Sequence, residues 1–248
     1  FILKIFDFRT FDSFNLSMTI ISSGGFLPFN SISLVLNSNI KEVVFSLLML
    51  VSFFSIFLSY NLFFLKNRNI NFFQEDIYLL IYLLSLIVIF FSFLNFDYDF
   101  SLLFFSLASS ISNIGFSLDI NNSNFVFLIL VIIGGSLVST SSGLRFMKIF
   151  LLTKFSFNEL LSHSKPKHIL LNKVLFSKVK IDLNDVNKYF FTVIIFILSL
   201  TLLICLLTLF NFKFDEAFKL SILTLMNTVN SSLYGLDNLN FAELSILV

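Results

Sequence analysis

Residues 43–65, VVFSLLMLVSFFSIFLSYNLFFL, run on without one charged side chain, and three further stretches do nearly the same. A helix needs roughly 20 apolar residues to cross the hydrocarbon of a bilayer. Residues 77–96 and 189–212 reach that length uncharged. Residues 125–144, FVFLILVIIGGSLVSTSSGL, reach it too, with small and hydroxylated residues through their second half. A soluble domain of 248 residues that is 57% hydrophobic and 12% charged could not cover its exterior with polar groups. A formal net charge of +1 leaves no basic footprint for nucleic acid. The chain therefore reads as an all-α integral membrane protein, with lipid as a partner and four spanning-helix candidates, the third of them broken.

The abundance of Phe, 38 residues beside no Trp, fits AT-rich coding rather than any particular chemistry. The single cysteine, Cys205, lies inside an apolar run and reads as a packed or lipid-facing thiol. The chain opens on Phe1 without a signal-peptide pattern and stops at FAELSILV, where another apolar segment begins. It reads as an internal piece of a longer protein.

Between the long runs lie segments too short to span: residues 10–21, 100–111 and 214–226. Each leads straight into a turn of small or polar residues: SSGGF at 22–26, SNIGF at 112–116 and NTVNSS at 227–232. This is an internal repeat of short helix, turn, and long helix. The connection 154–188 holds seven Lys against three acids and should be cytoplasmic. Residues 96–124, with Asp97, Asp99 and Asp119 and no Lys or Arg, should face outward, so the three short segments enter from outside. Lipid offers a re-entrant backbone no hydrogen-bond partners, so such segments must surround protein or water. The expected architecture is a set of helix–pore loop–helix units with re-entrant short helices around a central pore. At such turns backbone carbonyls replace the water around a cation, which Gly, Ser and Thr permit and bulky side chains obstruct.

The turns carry a resemblance. ISSGGFLP resembles the second filter loop, S-T-G-G-F, of the potassium-translocating subunit of the Trk/Ktr/HKT superfamily (TrkH/KtrB type), and SISNIGFS resembles its third, T-T-x-G-F. IIGGSLVSTSSGLRFMKIFLL, residues 132–152, is similar to the G-G-x-x-G-S-T-x-G-G-[IL]-[KR]-x-x-[KR] segment in the broken helix of that family's third repeat. TLMNTVNSSLYG stands where the fourth loop, N-N-x-G-P-G-L-G, is expected. The sequence departs from the pattern at Ile114, at Val138, and at Asn230 and Ser231-Ser232, which replace the fourth loop's glycine and Pro-Gly. The resemblance divides the chain into part of a second repeat at 1–65, a third at 77–153, the basic connection at 154–188 and part of a fourth at 189–248. The first repeat and the last helix are missing.

What the resemblance implies is potassium uptake through a filter of main-chain carbonyls, with potassium as substrate, no cofactor and no catalytic residue. The carbonyls would come from Ser22, Ser23 and Gly24, from Asn113, Ile114 and Gly115, and from Thr228, Val229 and Asn230. The stretch Gly134, Gly135, Ser136, Ser139, Thr140, Ser141, Ser142 and Gly143 would be a flexible intramembrane gate below the filter. Arg145 and Lys148 follow on its cytoplasmic side, where they snorkel to the interface or act on the passing ion through their field. The family also implies a homodimer in the bacterial inner membrane and a nucleotide-binding ring docked on the basic connection. His163 and His168, on that connection, have no further ligands nearby to form a metal site.

Blander readings stand beside these. A Gly-Gly pair after a helix serves as a left-handed cap, and a small-residue stretch packs helices closely. A non-conducting polytopic subunit of a respiratory or other complex would share the composition. Proton-moving subunits place charges in mid-membrane, and the four spans have none. An intramembrane enzyme would need a Ser/His pair, paired acids or metal ligands within a span, and none is there.

Overall fold

The computed structural model describes residues 1–27, 32–54, 70–93, 99–116, 125–164 and 183–228. Among these residues the structure is helical, with no strand. The helices are α1 (Ile2–Ile5), α2 (Thr10–Ser22), α3 (Asn39–Phe53), α4 (Ile70–Phe93) and α5 (Phe100–Ser112). They continue as α6 (Phe125–Ile133), α7 (Phe146–Ser164), α8 (Leu183–Leu209) and α9 (Phe214–Leu225). A short 3-10 turn, Ile32–Leu34, precedes α3. Helices α2, α5 and α9 fall on the three short segments that the sequence repeat marks.

Local chemistry sets several boundaries. Ser38 caps α3 by accepting the Lys41 N–H at 3.4 Å, and Glu42 follows in the first turn, where the helix dipole favours an acid. The break between α6 and α7 falls where Gly134 and Gly143 lie against each other with φ of 66° and 102°. A methyl group on Gly143 would stand 2.8 Å from the Gly134 Cα, so the loop closes only on glycine.

Helix α5 packs most extensively on α3 and next on α6, and α9 packs in turn against α6. Phe45 of α3, fully buried, stacks on Phe105 of α5 with centroids 6.1 Å apart and meets Phe116 at 5.8 Å. Phe53, Leu79, Phe90, Leu107 and Leu130 form a second core joining α3, α4, α5 and α6. Leu128, Val131, Ile222 and Met226 join α6 to α9. Both packed faces of α5 are therefore committed, and its C-terminal loop inherits that rigidity. Phe45→Ala should cost about 3 kcal/mol or more in unfolding free energy, since dispersion contacts are lost whatever the outer solvent. Thermal denaturation in detergent reads that loss, and an unchanged melting temperature would contradict it.

One helix among the described residues satisfies the length and apolarity of a membrane crossing. Residues Val186–Leu209, within α8, span 24 residues, and their most apolar stretch has a mean hydropathy of 3.0 and is 11% buried. Cys205 lies exposed on it, in keeping with a lipid-facing thiol. Helix α4 also has 24 residues, while α3 is described over 15 residues and the rest of the expected span, 55–65, lies outside the described residues. The span expected at 125–144 is helical for only 9 residues before its break.

Candidate functional site

The three short helices end alike. Ser23 after α2 and Asn113 after α5 take left-handed backbone angles, φ 51° and ψ 33° in one, φ 55° and ψ 37° in the other. Asn227 after α9 does the same with φ 54°. In each, the left-handed residue donates its N–H three residues back: Ser23 to Ile20 O, Asn113 to Ser110 O and Asn227 to Thr224 O. The next N–H reaches five residues back: Gly24 to Thr19 O at 3.2 Å, Ile114 to Ser109 O at 3.2 Å and Thr228 to Leu223 O at 2.8 Å. That pair of bonds is the Schellman cap.

The caps establish which residues correspond. Ser23, Asn113 and Asn227 share one register, and Gly24, Ile114 and Thr228 the next. Gly25 and Gly115 share the third; by sequence count Val229 follows there, but Val229 and Asn230 lie outside the described residues. The expected triplets 22–24, 113–115 and 228–230 are thus staggered by one or two positions. Ser22 is the last residue of α2, its side chain exposed and its Oγ donating to Thr19 O at 3.4 Å. Matching turns by composition cannot locate the end of a helix, and here the cap falls on Ser23 rather than on the glycine pair. Gly25 is left for a different purpose.

That purpose is contact between loops. Gly25 has φ 65°, and a Cβ there would overlap the Ile114 carbonyl oxygen. Gly115 has φ 82°, and a Cβ there would lie 2.6 Å from the Thr228 carbonyl oxygen. The same position of one loop therefore meets the same carbonyl of the next, twice in succession. Two like steps make an arc of three loops. At Ile114, where the sequence departs from the resembled pattern, the side chain is buried in the core cluster of Phe45, Phe105 and Phe116.

Electrostatics give the arc a sign. An α-helix concentrates about half a negative charge at its C-terminus. The C-termini of α2, α5 and α9 all lead into the arc, and none carries a basic residue in its last turn. Asp12 of α2 and Asp215 and Glu216 of α9 sit at the opposite ends, where acids are stabilised. Such a convergence attracts cations and repels anions.

Residues 134–145 form a dense polar knot rather than a loose linker. The knot caps α3: Ser136 and Ser141 donate their N–H groups to Phe53 O at 3.0 Å and Ser52 O at 3.3 Å, carbonyls that a helix end leaves unpaired. Glu75, buried on α4, accepts the Leu137 N–H at 2.5 Å through Oε1. Ser139 Oγ donates to Ser136 O and bonds Ser141 Oγ at 2.8 Å, and Ser141 Oγ accepts the Gly135 N–H. Val138, where the resembled pattern has glycine, donates its N–H to Ser136 Oγ.

Arg145 does not snorkel. With φ 71° it folds back, and Nη1 donates to Ser136 O and Ser139 O, each at 3.2 Å, to Ser139 Oγ at 2.9 Å and to Ser141 O. The carbonyls of Ser139 and Ser141 would otherwise be buried unpaired among the described residues, which explains the turn inward. Lys148, half-buried on the first turn of α7, takes no part in these bonds. Glu75 was not among the sequence-derived site residues. It precedes an apolar run as one of two adjacent acids, Glu75 and Asp76, both buried, and that placement was the available signal.

No family model and no curated protein sequence matches the chain. Among solved structures it is similar to the crystal structure of the potassium transporter TrkH from Vibrio parahaemolyticus, with a TM-score of 0.79 at 18% sequence identity. That alignment covers 96% of this chain and 55% of the TrkH chain, so this chain spans about half the transporter's length. The fold is of the TrkH/KtrB type.

Proposed function

We propose that this chain, with its TrkH/KtrB-type fold, is the greater part of a membrane transporter that takes up monovalent cations, potassium foremost, without chemical catalysis. One observation carries the reading: three helix C-termini without basic residues are joined by two identical glycine–carbonyl steps. A dehydrating cation needs several fixed oxygens around it, and an arc of carbonyls supplies them. The loops contribute Ser23, Gly24 and Gly25, then Asn113, Ile114 and Gly115, then Asn227 and Thr228 with Val229 following.

Three loops leave the arc open. A fourth, from a segment outside residues 1–248, closes it on the Gly25 side. Phe26 and Phe116 follow equivalent glycines, yet Phe116 is buried against Phe45 while Phe26 is 79% exposed. The missing unit covers Phe26 as α3 covers Phe116. The knot at 134–145 serves as the gate beneath the filter. The basic stretch 154–188 serves as the cytoplasmic docking site for a nucleotide-binding regulatory subunit, in a homodimer of the bacterial inner membrane.

The full-length gene should restore growth of an uptake-deficient bacterium on low potassium and admit thallium into proteoliposomes. Neither growth nor thallium entry from well-folded protein would refute the reading and favour a non-conducting polytopic subunit. Deleting residues 136–141 should raise thallium flux, because the closed knot obstructs the path; flux equal to the intact protein would exclude it as a gate.

A further inference from the structure

The knot is tied by side chains to all three filter loops. Ser23 Oγ and Thr140 Oγ1 lie 3.2 Å apart, joining it to the first loop. Asn113 Nδ2 donates to Ser142 Oγ at 2.9 Å, joining it to the second, and also to Val131 O at 3.1 Å at the end of α6. Ser142 Oγ in turn donates to Met226 O at the foot of the third. Ser142 is therefore a relay between two loops that already touch through Gly115 and Thr228.

Asn113 has an unusual position for this task. It is fully buried, and its Oδ1 finds no donor among the described residues. Its two donated bonds are thus the whole polar hold on the amide, and an acceptor left bare in the interior is costly. A left-handed cap alone would be served better by glycine. The amide is retained although the backbone does not need it.

We infer that Asn113 and Ser142 are positioning residues that couple the gate to the filter. The inference rests on the transport reading above. While the knot is seated, Ser142 fixes Asn113 and the Met226 carbonyl at a set separation, and through them the carbonyls of Ile114 and Thr228. When the knot withdraws, both tethers break together and the two loops lose their common strut. Ion discrimination is then sharpest while the gate is only partly open, and it weakens as the gate opens wide.

The test uses full-length protein with Cys205→Ser, Val138→Cys and any cysteine outside residues 1–248 replaced by serine, so that one thiol reports on the knot. Asn113→Gly keeps the left-handed backbone without strain and deletes only the amide; Ser142→Ala deletes only the hydroxyl. Asn113→Gly, which breaks one bond to the knot, should raise the rate of V138C modification by a water-soluble maleimide about fivefold, the worth of one hydrogen bond, and Ser142→Ala, which breaks two, should raise it further. The double variant should react no faster than Ser142→Ala, because Asn113 acts through Ser142. In proteoliposomes each single change should also lower the ratio of potassium to sodium flux. Unchanged rates, rates that multiply in the double variant, or raised rates with an unchanged flux ratio would each overturn the coupling. A parent protein that passes no potassium, with rates still raised and non-multiplying, would refute transport while leaving the tether between knot and loops standing.

Discussion

Gly115→Ala is expected to abolish potassium uptake by the full-length protein while leaving its helices intact. The added methyl meets only backbone: Thr228 O at 2.6 Å, its carbonyl carbon at 3.1 Å and its Cα at 3.3 Å. None of these can rotate aside as a side chain would. Thr228 is held by its own N–H bond to Leu223 O at 2.8 Å, so the third loop cannot yield without uncapping α9. Alanine also resists φ of 82°, a strain of about 1–3 kcal/mol. The second and third loops must separate, and carbonyls spaced for one ion lose it. Uptake should fall by at least about tenfold, which about 1.4 kcal/mol of the transport barrier suffices to cause.

Gly24→Ala supplies the contrast. Its Cβ would meet the Phe26 ring and Ser22 Oγ at 3.1 Å, both side chains able to move. Rubidium uptake should therefore stay near the parent value in Gly24→Ala and vanish in Gly115→Ala, with equal circular dichroism. Equal uptake by the two would remove the glycine–carbonyl steps from the conduction path.

The contrast also marks what the sequence makes legible. Long uncharged runs and three short helix–turn units are visible in it because apolar spacing and small-residue turns are local properties. The match to a TrkH-type fold over nearly the whole chain agrees with that level of reading. Register is not local. SSGGF looks as though its glycines cap a helix, but Ser23 takes the cap and Gly25 meets a loop some ninety residues away in sequence. Composition cannot distinguish those roles, because both ask for a residue tolerant of positive φ. Arg145 misleads in the same way. A basic residue after an apolar run ordinarily reaches for the interface, and only the Ser139 and Ser141 carbonyls, which would lack a donor without it, explain its turn inward. Glu75 shows in the sequence only as an acid at the head of an apolar run, because its partner, the Leu137 N–H, belongs to the backbone and leaves no mark there.

Arg145→Ala should open the gate. One guanidinium nitrogen serves the carbonyls of Ser136, Ser139 and Ser141; Ser136 O keeps the Ser139 hydroxyl as a donor, but the other two lose theirs, each at a cost of about 1–3 kcal/mol. Those carbonyls regain partners only by turning to water, which the knot does by leaving its seat on Ser52 and Phe53. Thallium flux per folded molecule should rise about tenfold or more, the effect of one such carbonyl on the closed-to-open balance. Removing a positive charge from beside a cation path would also raise flux, so Arg145→Lys is needed to separate the causes. Lysine keeps the charge, but its shorter, differently shaped side chain does not bring a nitrogen to the place where Nη1 meets the three carbonyls. If those bonds hold the gate, Arg145→Lys leaks nearly as much as Arg145→Ala; if the charge alone matters, it conducts like the parent. Glu75→Gln, which retains an oxygen for the Leu137 N–H, should change flux far less than either. Flux from Arg145→Ala at or below the parent value, in protein that remains monodisperse, would mean that the knot does not obstruct the path.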